Sequence, residues 1–283
     1  MAFPVGQWGW SEIGRLAART TVLPSPEAVE YVVVPHAGDE LQAWSLLQND
    51  TTTYKVFILT SRDAHGEESA GSDVAAWVDR FERLGQLDET LPTDLEHLGV
   101  RGPFPDPKGQ VCRDGDSAKL CRAAQSAEVW RDRAGRGALV VLDLGRDGLS
   151  RGEVAWAVRT TKHNREALGL DDSLPNGALI GAAYFGRGGG CVRYEGADHY
   201  AVHKVLHDID LYVEAQLAAT CADDGEATKT GTVRPDVLDV FRSNPVRAGR
   251  LGPKHGSPAT VDPRAQRRPF HSRQVFWEKK FPH

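Results

Sequence analysis

His36 and Asp39 leave the apolar stretch YVVVPHAGDE three positions apart, so a chain that tightens into a helix there turns an imidazole and a carboxylate toward one point. Far along the chain, EGADHYAVHKVLHDID carries Val202, Val205, Leu206 and Ile209 on one helical face, with Asp198 and His199 at its start and His203 one turn on. His36, Asp39 and His199 make a set of two imidazoles and one carboxylate with coordination positions left open, the arrangement of catalytic rather than structural zinc. Non-haem Fe(II) accepts the same set, and spacing alone does not separate the two. The plain structural alternative is that Asp39 caps a helix while His36 packs, and that His203 and His207 are ordinary helix residues. For His207 that alternative is preferred.

These residues need elements that bring them together. Ala28–Val34 is a β-branched run that reads as a buried strand, and Tyr54–Leu59 is a second. Between them ELQAWSLLQND spaces Leu41, Trp44 and Leu47 helically, which completes a β-α-β unit. Asp73–Leu84 follows as a helix opened by Ser72 or Asp73 and closed by Gly85. Gly137–Gly145 is a third buried strand, and the helix after it opens with Ser150 and Glu153 in capping-box spacing. This alternation predicts an α/β fold, Rossmann-like, with a mainly parallel sheet and helices on both faces. Ligands of such a sheet collect beyond the carboxyl ends of its strands, where PHAGDE falls.

Gly99–Ser117, dense in Pro, Gly and Asp, reads as a long excursion over the surface, and Phe185–Gly190 as a flexible stretch. Phe185–Gly190 and part of Gly99–Ser117 are expected to border the site as mobile segments. Past Ala218 the pattern dissolves, 221–231 reading as a linker and 242–273 as basic, Pro-rich and irregular. The expected organisation is a single domain, with residues 1–218 as the α/β unit and 219–283 as a linker and irregular C-terminal wrap packed on it.

A chain of 283 residues, 40% hydrophobic and 26% charged, suffices for one large core. A formal net charge of -5 gives no electrostatic reason for a nucleic-acid partner, and a small molecule is the better expectation. No apolar run approaches the ~20 residues of a membrane span, and the first residues lack the apolar core of a signal peptide. The expectation is therefore a cytoplasmic protein with no membrane span, peripheral membrane contact being left open. Cys112, Cys121, Cys191 and Cys221 form no C-x-x-C pair, which removes the zinc ribbon and the thioredoxin-like motif. Free thiols, or a Cys112 to Cys121 bridge in an oxidising compartment, are the readings that remain. No G-x-G-x-x-G follows the first strand, which counts against a nucleotide-binding protein.

From Tyr31 to about Leu211 the chain resembles the PIG-L/LmbE family of zinc-dependent N-acetylglucosamine deacetylases. In that family the first strand ends in H-P-D-D-E, the second in a T-x-G turn, and a later helix opens with H-P-D-H. Here His36, Asp39 and Glu40, then TSRDAHGE at Thr60 to Glu67, then Asp198 and His199 stand in the same order. The resemblance implies that His36, Asp39 and His199 hold Zn2+. It also implies hydrolysis of the N-acetyl group of an N-acetylglucosaminyl conjugate, with zinc polarising the carbonyl and supplying hydroxide.

Two departures bear on that activity. The family's general base is the first Asp of its first motif, where this chain has Gly38, and the first His of its last motif is Gly196 here. A carboxylate at position 38 is expected to fall within proton-transfer reach of the zinc-bound water. Asp63, in the loop after the second strand, ranks first as a substitute base, while Asp198 better suits orienting a ligand and His203 is a third candidate. The Gly/Pro excursion, the Gly-rich stretch and the aromatic, basic tail point to a substrate larger than a free sugar, such as a glycopeptide-antibiotic intermediate of the teicoplanin group. The alternative is a catalytically impaired, metal-containing sugar-binding relative, favoured by Gly38 and Gly196.

Overall fold

The structure is a computed structural model that describes residues 24–61, 70–104, 125–142, 144, 149–183, 197–220, 228–243 and 273–281. Asp63, Gly196, all four cysteines, the stretch 185–190 and most of the segment 99–117 lie outside them.

The strands in chain order are β1 (Ala28–Val34), β2 (Thr53–Leu59), β3 (Leu95–Phe104), β4 (Gln125–Asp132), β5 (Gly137–Leu142), β6 (Asn176–Gly181), β7 (Gln216–Thr220), β8 (Lys229–Thr232) and β9 (Arg273–Lys279). They form one sheet in the order β3-β4-β5-β2-β1-β6-β7-β9-β8. The five central strands, β5 to β7 in that order, pair parallel. The outer pairs are antiparallel: β4 on β5, β3 on β4, β9 on β7 and β8 on β9. The sheet is thus mixed, and the parallel character expected from the sequence holds for its centre only.

Helices cover both faces. α1 (Trp44–Leu47), entered through a 3-10 turn at Asp39–Ala43, lies on one face with α2 (Ala70–Gly85) and α6 (Pro235–Ser243). α3 (Arg151–His163) and α5 (Ala197–Asp208) lie on the other, and the short α4 (Arg165–Leu168) follows α3. Alternation along the strands decides which side chain meets which layer. In β1, Tyr31 and Val33 pack with Val154, Val158 and Val202, whereas Val32 and Val34 pack with Trp44, Trp77 and Phe81. Strands buried on both faces read as continuous apolar runs, which is why β1, β2 and β5 are visible in the sequence. Ser150 and Glu153 form the capping box predicted for α3.

Two segments differ from expectation. Gly99 to Phe104 does not wander over the surface but belongs to β3, at the sheet edge three strands away from β2. Gly99 and Gly102 both carry positive φ, so the glycines that suggested a loop instead allow the irregular register of an edge strand. The described C-terminal residues are regular where a wrap was expected: β8 and α6 form, and β9 inserts between β7 and β8. The run from Gln274 to Trp277 is buried as an interior strand must be. Gln274 also braces the turn after β1, accepting from the Ser45 amide at 2.9 Å and donating to the Leu41 carbonyl.

The chain order reverses at β1. β2 and β5 extend the sheet to one side, and the crossover through α3 brings β6 down on the other. The carboxyl ends of β1 and β6 are therefore a topological switch point, the place where open α/β sheets characteristically bind ligands. Close packing of α5 over β6 depends on Gly181, where a Cβ would stand 2.2 Å from Leu206 Cδ1.

At the opposite end of β1, Glu30 lies in register with Lys55 of β2, both buried. Burial pushes the Glu30 carboxyl from 4.5 up to about 7, against the weaker opposing pull of Lys55 and Thr53. A carboxyl raised in the folded state costs stability as pH climbs through 4.5 toward 7, because the fold disfavours its ionised form. Glu30→Gln is expected to stabilise the protein at pH 8 by roughly 1–3 kcal/mol, with no gain at pH 4. Urea midpoints of the two proteins at both pH values check this, and an equal shift at pH 4 and pH 8 would contradict it.

Candidate metal centre

The turn after β1 is built around Asp39. Its amide bonds the His36 carbonyl at 3.0 Å, which closes the loop that carries both side chains. Asp39 Oδ2 lies 3.3 Å from His36 Nδ1 and accepts from the His36 backbone amide at 3.1 Å. From the start of α5, His199 Nε2 reaches the same oxygen at 2.9 Å. The two imidazoles stand 5.5 Å apart, centre to centre. His36, Asp39 and His199 therefore each offer one ligand atom within 4.8 Å of the others, and among the described residues they are the cluster that can share an ion.

The spacing fits a metal. Donors about 2.05 Å from a tetrahedral zinc lie about 3.3 Å from one another, close to the 3.3 and 2.9 Å found around Asp39 Oδ2. The donor set also matches, since two neutral imidazoles and a carboxylate are borderline ligands of the kind zinc accepts. His36 Nε2 is 2.8 Å from Asp198 Oδ2, which leaves Nδ1 to face the cluster. A metal-binding imidazole whose second nitrogen is held by a carboxylate has its tautomer and ring plane fixed. Asp198 is thus placed on His36 rather than on its neighbour His199, and its other oxygen accepts from the Leu149 amide at 2.6 Å.

Electrostatics follow from this crowding. Burial disfavours a charge on His36, but the carboxylates of Asp198 and Asp39 outweigh it and lift the imidazole pKa to about 10. Asp39 is held well below the usual carboxylate range, burial being overcome by His199 and His36. Asp198 is lowered as well: burial again opposes, and the His36 hydrogen bond and the Leu149 amide win.

Of the sequence-predicted residues, the fold unites His36, Asp39 and His199, with Asp198 behind them. His203 is buried one turn further along α5, with its ring edge-on to Trp277 of β9 at 5.4 Å, and it does not belong to the three-residue cluster. Gly38 does not open onto vacant space. It adopts φ 112°, and a Cβ there would meet the Arg80 guanidinium at 3.4 and 3.8 Å. Arg80 pairs with Glu40, whose other oxygen accepts from the Gly38 amide at 2.7 Å, so the motif glutamate clamps the turn from beneath. Sequence reasoning missed Arg80, for which no local signal exists, and Gln42, which donates to Asp39 Oδ1 at 2.9 Å.

No protein-family model matches the chain, and no curated protein or solved structure matches it. The resemblance to the PIG-L/LmbE deacetylases accordingly rests on the motif residues and their placement alone. No helix among the described residues is long and apolar enough to cross a membrane.

Because metal ligation needs a neutral His36 imidazole, zinc binding near pH 7 is expected to release at least one proton per chain. Apparent affinity then falls at least about tenfold for each unit that pH drops below neutrality. Calorimetric titration in buffers of differing ionisation enthalpy measures the proton count, and a count of zero would contradict the arrangement described.

Proposed function

We propose that the protein is a metal-dependent deacetylase acting on the N-acetyl group of an N-acetylglucosaminyl conjugate. The observation that carries the reading is convergence: the residues matching two separate family motifs, after β1 and at the start of α5, meet within 4.8 Å at the switch point of the sheet. His36, Asp39 and His199 would hold the ion, zinc being the choice that two imidazoles and one carboxylate favour. A bound zinc would supply Lewis acidity toward the amide carbonyl and toward an attacking water.

The chain's own residues divide the remaining work. Asp198 orients His36 and, through Leu149, ties the loop after β5 to the site. For the base, Asp198 is already committed through both oxygens and His203 is packed under Trp277, so Asp63 is the candidate that remains. The described chain leaves β2 at Ser61, whose amide bonds the Pro35 carbonyl at 3.1 Å, one residue before His36; Asp63 follows two residues on. The finer assignment, to a sugar on a glycopeptide scaffold, draws on the Gly-rich stretch between β6 and α5. Its described flanks are Ala183, two residues past the end of β6, and Ala197, the first residue of α5.

Zinc-loaded protein is expected to release amine from N-acetylglucosaminyl glycopeptides or aryl glycosides. His36→Ala should abolish release together with metal binding, whereas Asp63→Asn should keep the metal and lose about 10² to 10⁴ in rate. Absence of amine release from all such conjugates, with zinc bound, would defeat the deacetylase reading.

The setting of Gly38 supports the alternative of an impaired sugar-binding relative, because neither its φ nor its neighbour suits a carboxylate base. A side chain there starts in a strained conformation beside a guanidinium, which would capture it. Gly38→Asp is accordingly expected to lower the melting temperature without raising amine release. A rise of ~10²-fold, the ordinary worth of a positioned base, would show instead that the turn can present one.

A further inference from the structure

The turn that carries Asp39 is a 3-10 helix, Asp39–Ala43, and not the start of an α-helix. With three residues per turn, side chains three apart eclipse, whereas in an α-helix they would be offset by about 60°. Position 42 thereby stands directly over position 39. Gln42, buried to 6% exposure, uses this to donate its Nε2 to Asp39 Oδ1 at 2.9 Å. A carboxylate only accepts, so the amide orientation is fixed by chemistry. The two oxygens of Asp39 are thus divided: Oδ1 belongs to Gln42, while both imidazoles face Oδ2.

We propose that Gln42 is a positioning residue that holds Asp39 as a one-oxygen ligand and so keeps coordination positions open at the metal. A carboxylate beside a divalent ion can also chelate through both oxygens, which would use a position that water or a substrate carbonyl must occupy. An amide is well chosen for the restraint. It donates to Oδ1 strongly enough to compete with chelation and adds no charge that would repel the cation or compete for it. The proposal rests on the metal reading of the His36, Asp39 and His199 cluster, and it concerns the geometry of the site rather than the reaction run there.

Cobalt substitution reads the geometry directly, since visible bands of four-coordinate Co(II) are stronger than those of five-coordinate Co(II). The wild-type protein is expected to show strong bands, and Gln42→Met, close in shape but without a donor, to show weaker ones with zinc affinity about 10- to 100-fold reduced. Unchanged bands in Gln42→Met overturn the proposal even if affinity falls, because a merely structural role would lower affinity alone. X-ray absorption at the zinc edge of the wild-type protein gives a second measurement that does not depend on the variant folding. A single carboxylate oxygen per zinc supports the proposal and a chelating carboxylate overturns it. Failure of the wild-type protein to take up either cobalt or zinc overturns the metal reading, and this proposal with it.

Discussion

A carboxylate buried to 3% exposure, as Asp39 is, cannot persist as an isolated charge. Everything near it is arranged to satisfy that constraint. The backbone amide of His36 reaches it across the turn, Gln42 from one turn up the 3-10 helix, and His199 from a helix that follows a different strand. The first two are local, but His199 reaches Asp39 only through the strand order, which places β6 beside β1 although the chain visits β2 and β5 first. The switch point is a cause here, not a decoration, because it is where segments distant in sequence approach each other beyond the strand ends.

Legibility in the sequence follows the same physics. Strands buried on both faces leave continuous β-branched runs, so β1, β2 and β5 can be read directly, as can the capped α3 and the apolar face of α5. β6 and β7, NGALIG and QLAAT, are equally interior but short and rich in Gly and Ala, because α5 and the neighbouring layers press so closely that larger side chains are excluded at Gly181. Small residues packed tightly look like a loop in one dimension. β9 was hidden differently. Its run QVFWE is apolar enough, yet its partners β7 and β8 lie before a long basic stretch, and no local pattern reports such a non-local pairing. In the site, residue types and spacing pointed to His36, Asp39 and His199, but the placement of Asp198 on His36 depends on the approach of α5, which spacing does not encode.

The Glu40 and Arg80 pair ties the turn after β1 to the core. Glu40 is fully buried, and its two oxygens join the Gly38 amide to a guanidinium from α2 that also lies over the Phe241 ring at 5.1 Å. Breaking such a pair from one side leaves an uncompensated buried charge, typically at a cost of about 3–5 kcal/mol. The turn is therefore held in a left-handed conformation at Gly38 by interactions that belong to the core. A carboxylate introduced at position 38 would have to enter that arrangement, not merely fill a vacancy.

Exposure within the cluster is uneven, and this gives the site a direction. His199 and Asp39 are almost wholly enclosed, whereas the His36 side chain keeps 30% of its surface. The more exposed imidazole, His36, is also the one whose Nε2 meets the Asp198 carboxylate at 2.8 Å. Asp198 bonds Leu149 with the oxygen that His36 does not use, so the His36 imidazole, the start of α5 and the chain just before α3 are joined through one carboxylate.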